Sequence, residues 1–291
     1  MSSYYVGIDG GGTSCRARIR NQAGELIGEG KSGSANILLG VDIAMTSILD
    51  AIAQAAAQGG LNESDFNLMH VGLALAGAEQ KAAWFEFMAA KHPFASMTLN
   101  TDAYGACIGA HKGEPGAIMI AGTGSCGIYL AHGEQHVVGG REFPISDQGG
   151  GAVMGLRLVQ KVLLAQDGIG DNTPLAQHVM HQFGNDVDNI VSWSKQALPR
   201  DYGQFSPAVF EYANQGDALA IEMLKQTAAD IEMFVLALHQ RGAERICLMG
   251  SIAERIKAWL SPPVQAWIVA PQCDAIEGAL MFAGKPEHNL Y

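Results

Sequence analysis

Two apolar patterns alternate along the chain. Short apolar runs bounded by glycine read as strands, and longer alanine- and leucine-rich stretches with apolar positions three and four apart read as helices. Runs at residues 4–8, 15–20 and 26–30, joined by Asp9–Thr13 and by the turn Asn21-Gln22-Ala23-Gly24, predict a three-stranded meander. A loop through Gly33-Ser34-Ala35-Asn36 leads to a helix over 41–58 that stops at Gly59-Gly60 and is expected to pack on the meander. A buried strand over 70–75 runs into Ala76-Gly77-Ala78, and an amphipathic helix over 79–91 is ended by Pro93. A strand over 97–101 then delivers Asp102 to its carboxyl end, and a helix follows over 103–111. A meander followed by strand, helix, strand and helix is an α/β arrangement.

The pattern then starts again. An apolar strand over 117–121, the glycine turn Gly122-Thr123-Gly124-Ser125 and a returning strand over 126–130 echo the first hairpin, and 135–140 supplies a third strand. Asp147-Gln148-Gly149-Gly150-Gly151 leads into a helix over 152–165, and 172–240 reads as mostly helical with breaks near Pro199, Gly203 and Pro207. Alternation resumes with a strand over 245–249, the turn Gly250-Ser251, a helix, a strand over 265–270 and a last helix over 275–283. Two halves that each open with a glycine-tipped hairpin predict a duplicated fold, with domains at 1–110 and 111–291, a cleft between them, and the last helix packing back on the first domain.

Composition narrows the function. The 291 residues suffice for two cores, and 36 glycines mark numerous glycine loops. A net charge of −11 with only 18 Lys and Arg excludes nucleic acid or an anionic membrane as the principal partner. Cys15, Cys107, Cys126, Cys247 and Cys273 are scattered and show no Cys-x-x-Cys pairing, so reduced thiols are expected. No basic-plus-apolar leader and no apolar run of membrane-spanning length is present, and the protein is expected to be cytoplasmic.

Candidate chemistry centres on Asp9-Gly10-Gly11-Gly12-Thr13. The chain resumes a strand after it, so the Gly-x-Gly-x-x-Gly and Walker loops, which open helices, are not matched. A glycine hairpin still offers successive backbone N–H groups to an anion, with Asp9 placed to hold a hydrated Mg²⁺ beside it. The alternative is a tight turn that Asp9 merely caps. His70, His92, His111 and His136 lack ligand spacing and read as structural, as does Cys126. Met223, Met233 and Phe234 read as core. Trp193, Tyr202, Phe205 and Tyr212 read as ordinary burial, with a lid or dimer face as the other reading.

With these motifs in order the chain resembles the actin-like, hexokinase-type ATPase superfamily of ribonuclease H-like fold. Within it the chain is similar to the BadF/BadG/BcrA/BcrD-type family, which includes bacterial glucosamine kinase and N-acetylglucosamine kinase. Asp9–Thr13 and Ala121–Ser125 resemble its two phosphate loops, and Leu248-Met249-Gly250-Ser251-Ile252-Ala253 its adenosine segment. Val71–Ala78 and Asp274–Ala279 resemble the two connecting helices of the hinge. The resemblance implies ATP and Mg²⁺. Asp9 would hold the metal; Gly10, Gly11, Gly12, Thr13, Gly122, Thr123, Gly124, Ser125, Gly250 and Ser251 would hold the nucleotide; Asn36, Asp102, Gly140 and Asp147 would line an amino sugar, with Asp102 as catalytic base. One departure stands at Gly139-Gly140-Arg141-Glu142, where comparable kinases carry Gly-Gly-Trp-Gly, and it bears on the sugar's 2-substituent. The cysteine-rich zinc motif of repressor-type sugar kinases is missing.

The implied reaction is ATP-dependent phosphorylation of the glucosamine 6-hydroxyl, with N-acetylglucosamine as the alternative substrate, closure around both substrates, and a homodimer. An ATPase activator carrying an iron–sulfur cluster is the other class, and the scattered cysteines speak against it. Read without the resemblance, Asp102 is a helix N-cap, Asp147 closes a loop, Asn36 is a turn residue, Thr13 and Thr123 are turn hydroxyls, and Ser251 caps a helix.

Overall fold

The computed structural model describes residues 3–291. The chain folds as two compact units. The first comprises the described residues up to Pro115 with Leu130–His132 and Pro271–Tyr291; the second comprises Gly116–Tyr129 and Gly133–Ala270.

In the first unit the chain runs β1 (Tyr4–Gly10), β2 (Cys15–Asn21), β3 (Leu26–Ser32), a 3₁₀ turn at Ile37–Leu39, α1 (Val41–Gln58), β4 (Met69–Leu75), α2 (Lys81–Met88), β5 (Ser96–Thr101) and α3 (Asp102–His111). The sheet order is β3-β2-β1-β4-β5: an antiparallel meander on one side, with β1, β4 and β5 parallel. Small residues let α1 lie directly on β3. A side chain at Gly28 or Gly30 would meet the backbone oxygens of Ala55 and Ala51 at 2.1 and 2.0 Å, and Ala44, Ala51, Ala55 and Ala56 of that helix are buried.

The second unit contains β6 (Gly116–Ala121), β7 (Ser125–Ala131), β8 (Glu134–Gly139), α4 (Gly151–Gln166), α5 (Pro174–Gln182), α6 (Val187–Ser194), α7 (Pro199–Gly203), α8 (Ser206–Asn214), α9 (Ala218–His239), β9 (Ile246–Met249), α10 (Ser251–Ile256), α11 (Pro262–Gln265) and β10 (Ile268–Val269). Its sheet, β8-β7-β6-β9-β10, repeats the strand order of the first, so the duplicated α/β fold is present. The chain then returns to the first unit as α12 (Ala275–Phe282). Gly7 and Gly72 are paired across β1 and β4, and side chains there would strike the backbone of α12 at 2.3 and 2.1 Å. Arg18 and Arg20 of β2 tether the start of α12, donating to Asp274 and Glu277 at 3.0 Å.

Several local expectations shift. The helix expected over 79–91 is only Lys81–Met88, because Gly77 and Gln80 close a turn before it (N–H to O, 3.1 Å) and Ala89–Ala90 close another after it. The strand expected over 265–270 shrinks to Ile268–Val269, since Pro262-Pro263 open the helical turn of α11. Pro199 and Pro207 occupy first turns of α7 and α8, and a further break falls at Gly216, whose φ is 85°. Val71–Leu75, read by resemblance as part of a connecting helix, is a strand. Met223 and Phe234 are buried, whereas Met233 is 53% exposed. Trp193 packs edge-on against Tyr202 at 4.7 Å and Phe205 at 5.9 Å, and the latter two are buried, which makes this cluster core.

Candidate functional site

Parallel strands deliver their carboxyl ends to one edge of the sheet, which is where open α/β sheets bind ligands. In the first unit those ends carry Asp9-Gly10 from β1, Leu75-Ala76 from β4 and Thr101-Asp102 from β5. The loops that follow are stitched together. The Ala76 amide donates to Gly10 O at 2.8 Å, the Ala35 amide and the Ser34 hydroxyl both donate to Gly11 O at 3.1 Å, and the Ile37 amide donates to Ala76 O at 3.2 Å. The Asn36 loop is thus fixed on the glycine hairpin. Asn36 itself caps the 3₁₀ turn, accepting from Leu38 N at 2.9 Å, which leaves its amide nitrogen for another partner.

At the hairpin tip Gly12 and Thr13 are exposed, and among the described residues nothing accepts from their amides. Asp9 is paired with Arg16 (Nη2 to Oδ2, 2.5 Å), its direct partner in the β1–β2 register. The sequence reading left Arg16 out, although counting back from the hairpin tip would have placed it opposite Asp9. Cys15 is fully buried, and burial beside Asp9 pushes its thiol up to about 12, so it stays protonated. Asp9 is a hard oxygen donor at a strand end. Among the described residues no three His, Cys, Asp or Glu side chains cluster as a metal site. That donor set suits a Mg²⁺ ion that keeps most of its water and is completed by phosphate.

Asp102 is not the helix cap. Thr101 caps α3, its hydroxyl accepting from Tyr104 N at 3.1 Å, and Asp102 sits one residue inside. One Asp102 oxygen accepts from its neighbour Ala103 N at 2.7 Å, and the residue's own amide also bonds to the carboxylate. Burial, with the nearby charges of Glu79 and Asp9, pushes its carboxyl above the usual carboxylate range. Replacing Thr101 by Ala is expected to cost about 1 kcal/mol of stability, read as a lower urea midpoint.

The second unit builds its glycine turn differently. The amides of Gly151 and Ala152 at the start of α4 donate to Gly122 O at 2.7 Å and Thr123 O at 2.9 Å, so the turn's carbonyls are satisfied by the helix. Among the described residues nothing accepts from the amides of Thr123 and Gly124. Asp147, in the left-handed region at φ 68°, accepts from Ser125 N at 3.2 Å and closes its loop through Gly150 N to Asp147 O at 2.9 Å. A side chain at Gly124 would lie 2.8 Å from the Asp147 carboxylate. Asp147 therefore braces the turn in this state. Gly140, also left-handed, donates to Ser125 O at 3.0 Å and lies beside Cys126.

Gly250, with φ 96°, caps α10 and packs on the same turn; a side chain there would meet Ala121 O at 2.6 Å. Ser251 is the first residue of α10 and not its cap. Beside them lies a pocket of about 130 Å³ lined by Gly122, Thr123, Gly151, Ser206, Ser251 and Arg255. Ser206 and Arg255 were not singled out from sequence, since each reaches the pocket only through the packing of its helix. His70 bonds Ser96 at 2.8 Å, and His92 accepts from Phe94 N at 3.2 Å.

Comparison with known proteins converges on one family. A family model described as the BadF/BadG/BcrA/BcrD ATPase family matches residues 6–283. The chain is 76% identical over 289 residues to a glucosamine kinase of Vibrio cholerae serotype O1, covering 99% of this chain and 98% of that one. It is 24% identical to an N-acetyl-D-glucosamine kinase of Dictyostelium discoideum over 77% of this chain and 75% of that one. A solved structure described as a candidate N-acetylglucosamine kinase from Chromobacterium violaceum superposes with a TM-score of 0.87 at 31% identity, over 97% of this chain and 99% of that one. A family model spanning nearly the whole chain and a relative this similar establish that the chain belongs to the BadF/BadG/BcrA/BcrD ATPase family.

Proposed function

We propose that the chain transfers the γ-phosphoryl group of ATP to the 6-hydroxyl of glucosamine, giving glucosamine 6-phosphate and ADP. The observation that carries this reading is the 76% identity, sustained over 99% of the chain, to a glucosamine kinase. The site chemistry is consistent with it. Phosphoryl transfer asks a protein mainly for positioning and charge compensation. The unpaired amides of Gly12, Thr13, Thr123 and Gly124 are donors for phosphate oxygens. Thr13, Thr123, Gly250 and Ser251 complete the nucleotide contacts in this reading, and Asn36, Gly140 and Asp147 those to the sugar.

Asp102 acts as the base. Its carboxylate orients the accepting hydroxyl and takes its proton as the bond to phosphorus forms, and the upward shift of its pKa strengthens it as an acceptor. Asp9 would hold a Mg²⁺ ion, whose chemistry when bound is to neutralise phosphate charge. A cytoplasmic location belongs to the same reading, because the donor is ATP.

A coupled ADP-release assay with glucosamine, N-acetylglucosamine and glucose tests the assignment. Glucosamine is expected to give the largest kcat/KM. A preference for N-acetylglucosamine, the substrate named for the more distant relatives, would replace the substrate while leaving the reaction.

A further inference from the structure

Glu79 stands in the turn that follows β4, and three contacts fix that turn. The Ala76 amide is bound to Gly10 O at 2.8 Å, Gly77 lies against Asn36, and the Tyr291 hydroxyl donates to Glu79 O at 2.9 Å. Gly77 has φ 87°, and a side chain there would come within 2.7 Å of the Asn36 carboxamide oxygen, so the turn and the Asn36 loop are in direct contact. Tyr291 is in turn wedged against Trp84 and Phe85 at 5.7 and 6.1 Å, beneath the Lys81 ammonium.

The Glu79 side chain is exposed, and no described group bonds or pairs with its carboxylate. Lys81, two residues on, lies over the Tyr291 ring instead. Arg16 is engaged with Asp9. Among the described residues, Asp9, Glu79 and Asp102 bring carboxylates to the carboxyl ends of β1, β4 and β5, and the Arg16 guanidinium is committed to the first. Glu79 is close enough for its charge to raise the Asp102 pKa. This surplus of negative charge suits a cationic sugar and gives nothing to a neutral one.

We propose that Glu79 is a specificity-determining residue that receives the 2-ammonium group of a protonated amino sugar, with Tyr291 and Gly77 holding its turn against the Asn36 loop. The inference rests on the reading of the protein as an amino-sugar kinase and names the group within that site that recognises the amine. An acetamide carries no positive charge, so Glu79 offers N-acetylglucosamine no ion pair, and the desolvation of an unpaired carboxylate opposes its binding.

The experiment is a Glu79→Gln variant assayed with ATP against glucosamine, glucose and N-acetylglucosamine. KM for glucosamine is expected to rise about tenfold, the scale of a lost charge-assisted hydrogen bond, while KM for glucose and for ATP stays within about twofold. Tyr291→Phe, which removes only the hydrogen bond to Glu79 O, is expected to move glucosamine KM in the same direction by a smaller factor. Equal losses on glucose and glucosamine, a changed ATP KM, or an unchanged glucosamine KM would each overturn the role of Glu79. Should the wild-type protein fail to phosphorylate glucosamine, the functional reading fails instead, so the two failures are separable. Thermal melting of both variants confirms that the sugar effects are read on folded protein.

Discussion

Replacing Asp102 by Asn is expected to lower kcat about 10³-fold, the scale of a positioned general base, with KM for ATP within about twofold. The carboxamide keeps the volume and can still accept from Ala103 N, and Thr101 retains the cap, so α3 keeps its start. What is lost is the proton acceptor. The same change is expected to raise stability at neutral pH. Burial leads the effects that raise the Asp102 pKa, so the folded state binds its proton more tightly than the unfolded state. Stability contributed by this group therefore falls as pH rises above the ordinary carboxylate range, where the unfolded chain ionises freely and the folded one resists. An uncharged Asn carries no such penalty. A melting temperature that rises at neutral pH, with the gain vanishing in acid, accompanies the kinetic loss if Asp102 is poised as described. A kcat close to wild type would remove it as the base.

Gly278→Ala is expected to cost about 3 kcal/mol, at the upper end of ordinary overpacking. Helices α3 and α12 cross with their backbones in contact: a side chain at Gly278 would lie 1.9 Å from Gly105 O and 2.6 Å from Gly109 N, and one at Gly109 would lie 2.1 Å from Asp274 O. No rotamer change relieves a clash with backbone, so one helix must move. Both are constrained. α12 rests on Gly7 and Gly72 and is held by Arg18 and Arg20, while α3 begins at Asp102. Displacing α3 also displaces the carboxylate, so kcat is expected to fall with stability. Urea unfolding checks the first and the ADP-release assay the second. Gly12→Ala, at a position with nothing within 4 Å, is the control and is expected to leave stability unchanged. A loss at Gly278 below about 1 kcal/mol would mean the helices separate more easily than their glycine contacts imply.

Much of the architecture was legible along the chain, for a local reason. Val41–Gln58 matched its helical spacing residue for residue, and β1 through β3 appeared where alternating apolar positions and glycine turns placed them. Such elements are decided within a few residues by periodicity and by the backbone freedom of glycine. Where local signals competed, reading failed: a strand is expected over 265–270, yet the helical turn opened by Pro262-Pro263 runs to Gln265 and leaves only Ile268–Val269 extended. Met233 fits a helical apolar pattern yet faces outward, because only packing says which side of α9 is covered.

The candidate site was legible as a set of residues but not as a set of roles. Sequence determined by itself that the chain is a duplicated α/β fold with two glycine turns, each in the loop after a strand, because those features are written in neighbouring residues. Tertiary structure alone decided which polar groups are already engaged: Arg16 on Asp9, Thr101 in place of Asp102 as the cap, Asp147 on the Ser125 amide, and Tyr291 on the turn that carries Glu79. A side chain's chemistry depends on the partners left to it. Those partners come from hydrogen bonds and burial between segments as distant as Glu79 and Tyr291, which no local pattern encodes.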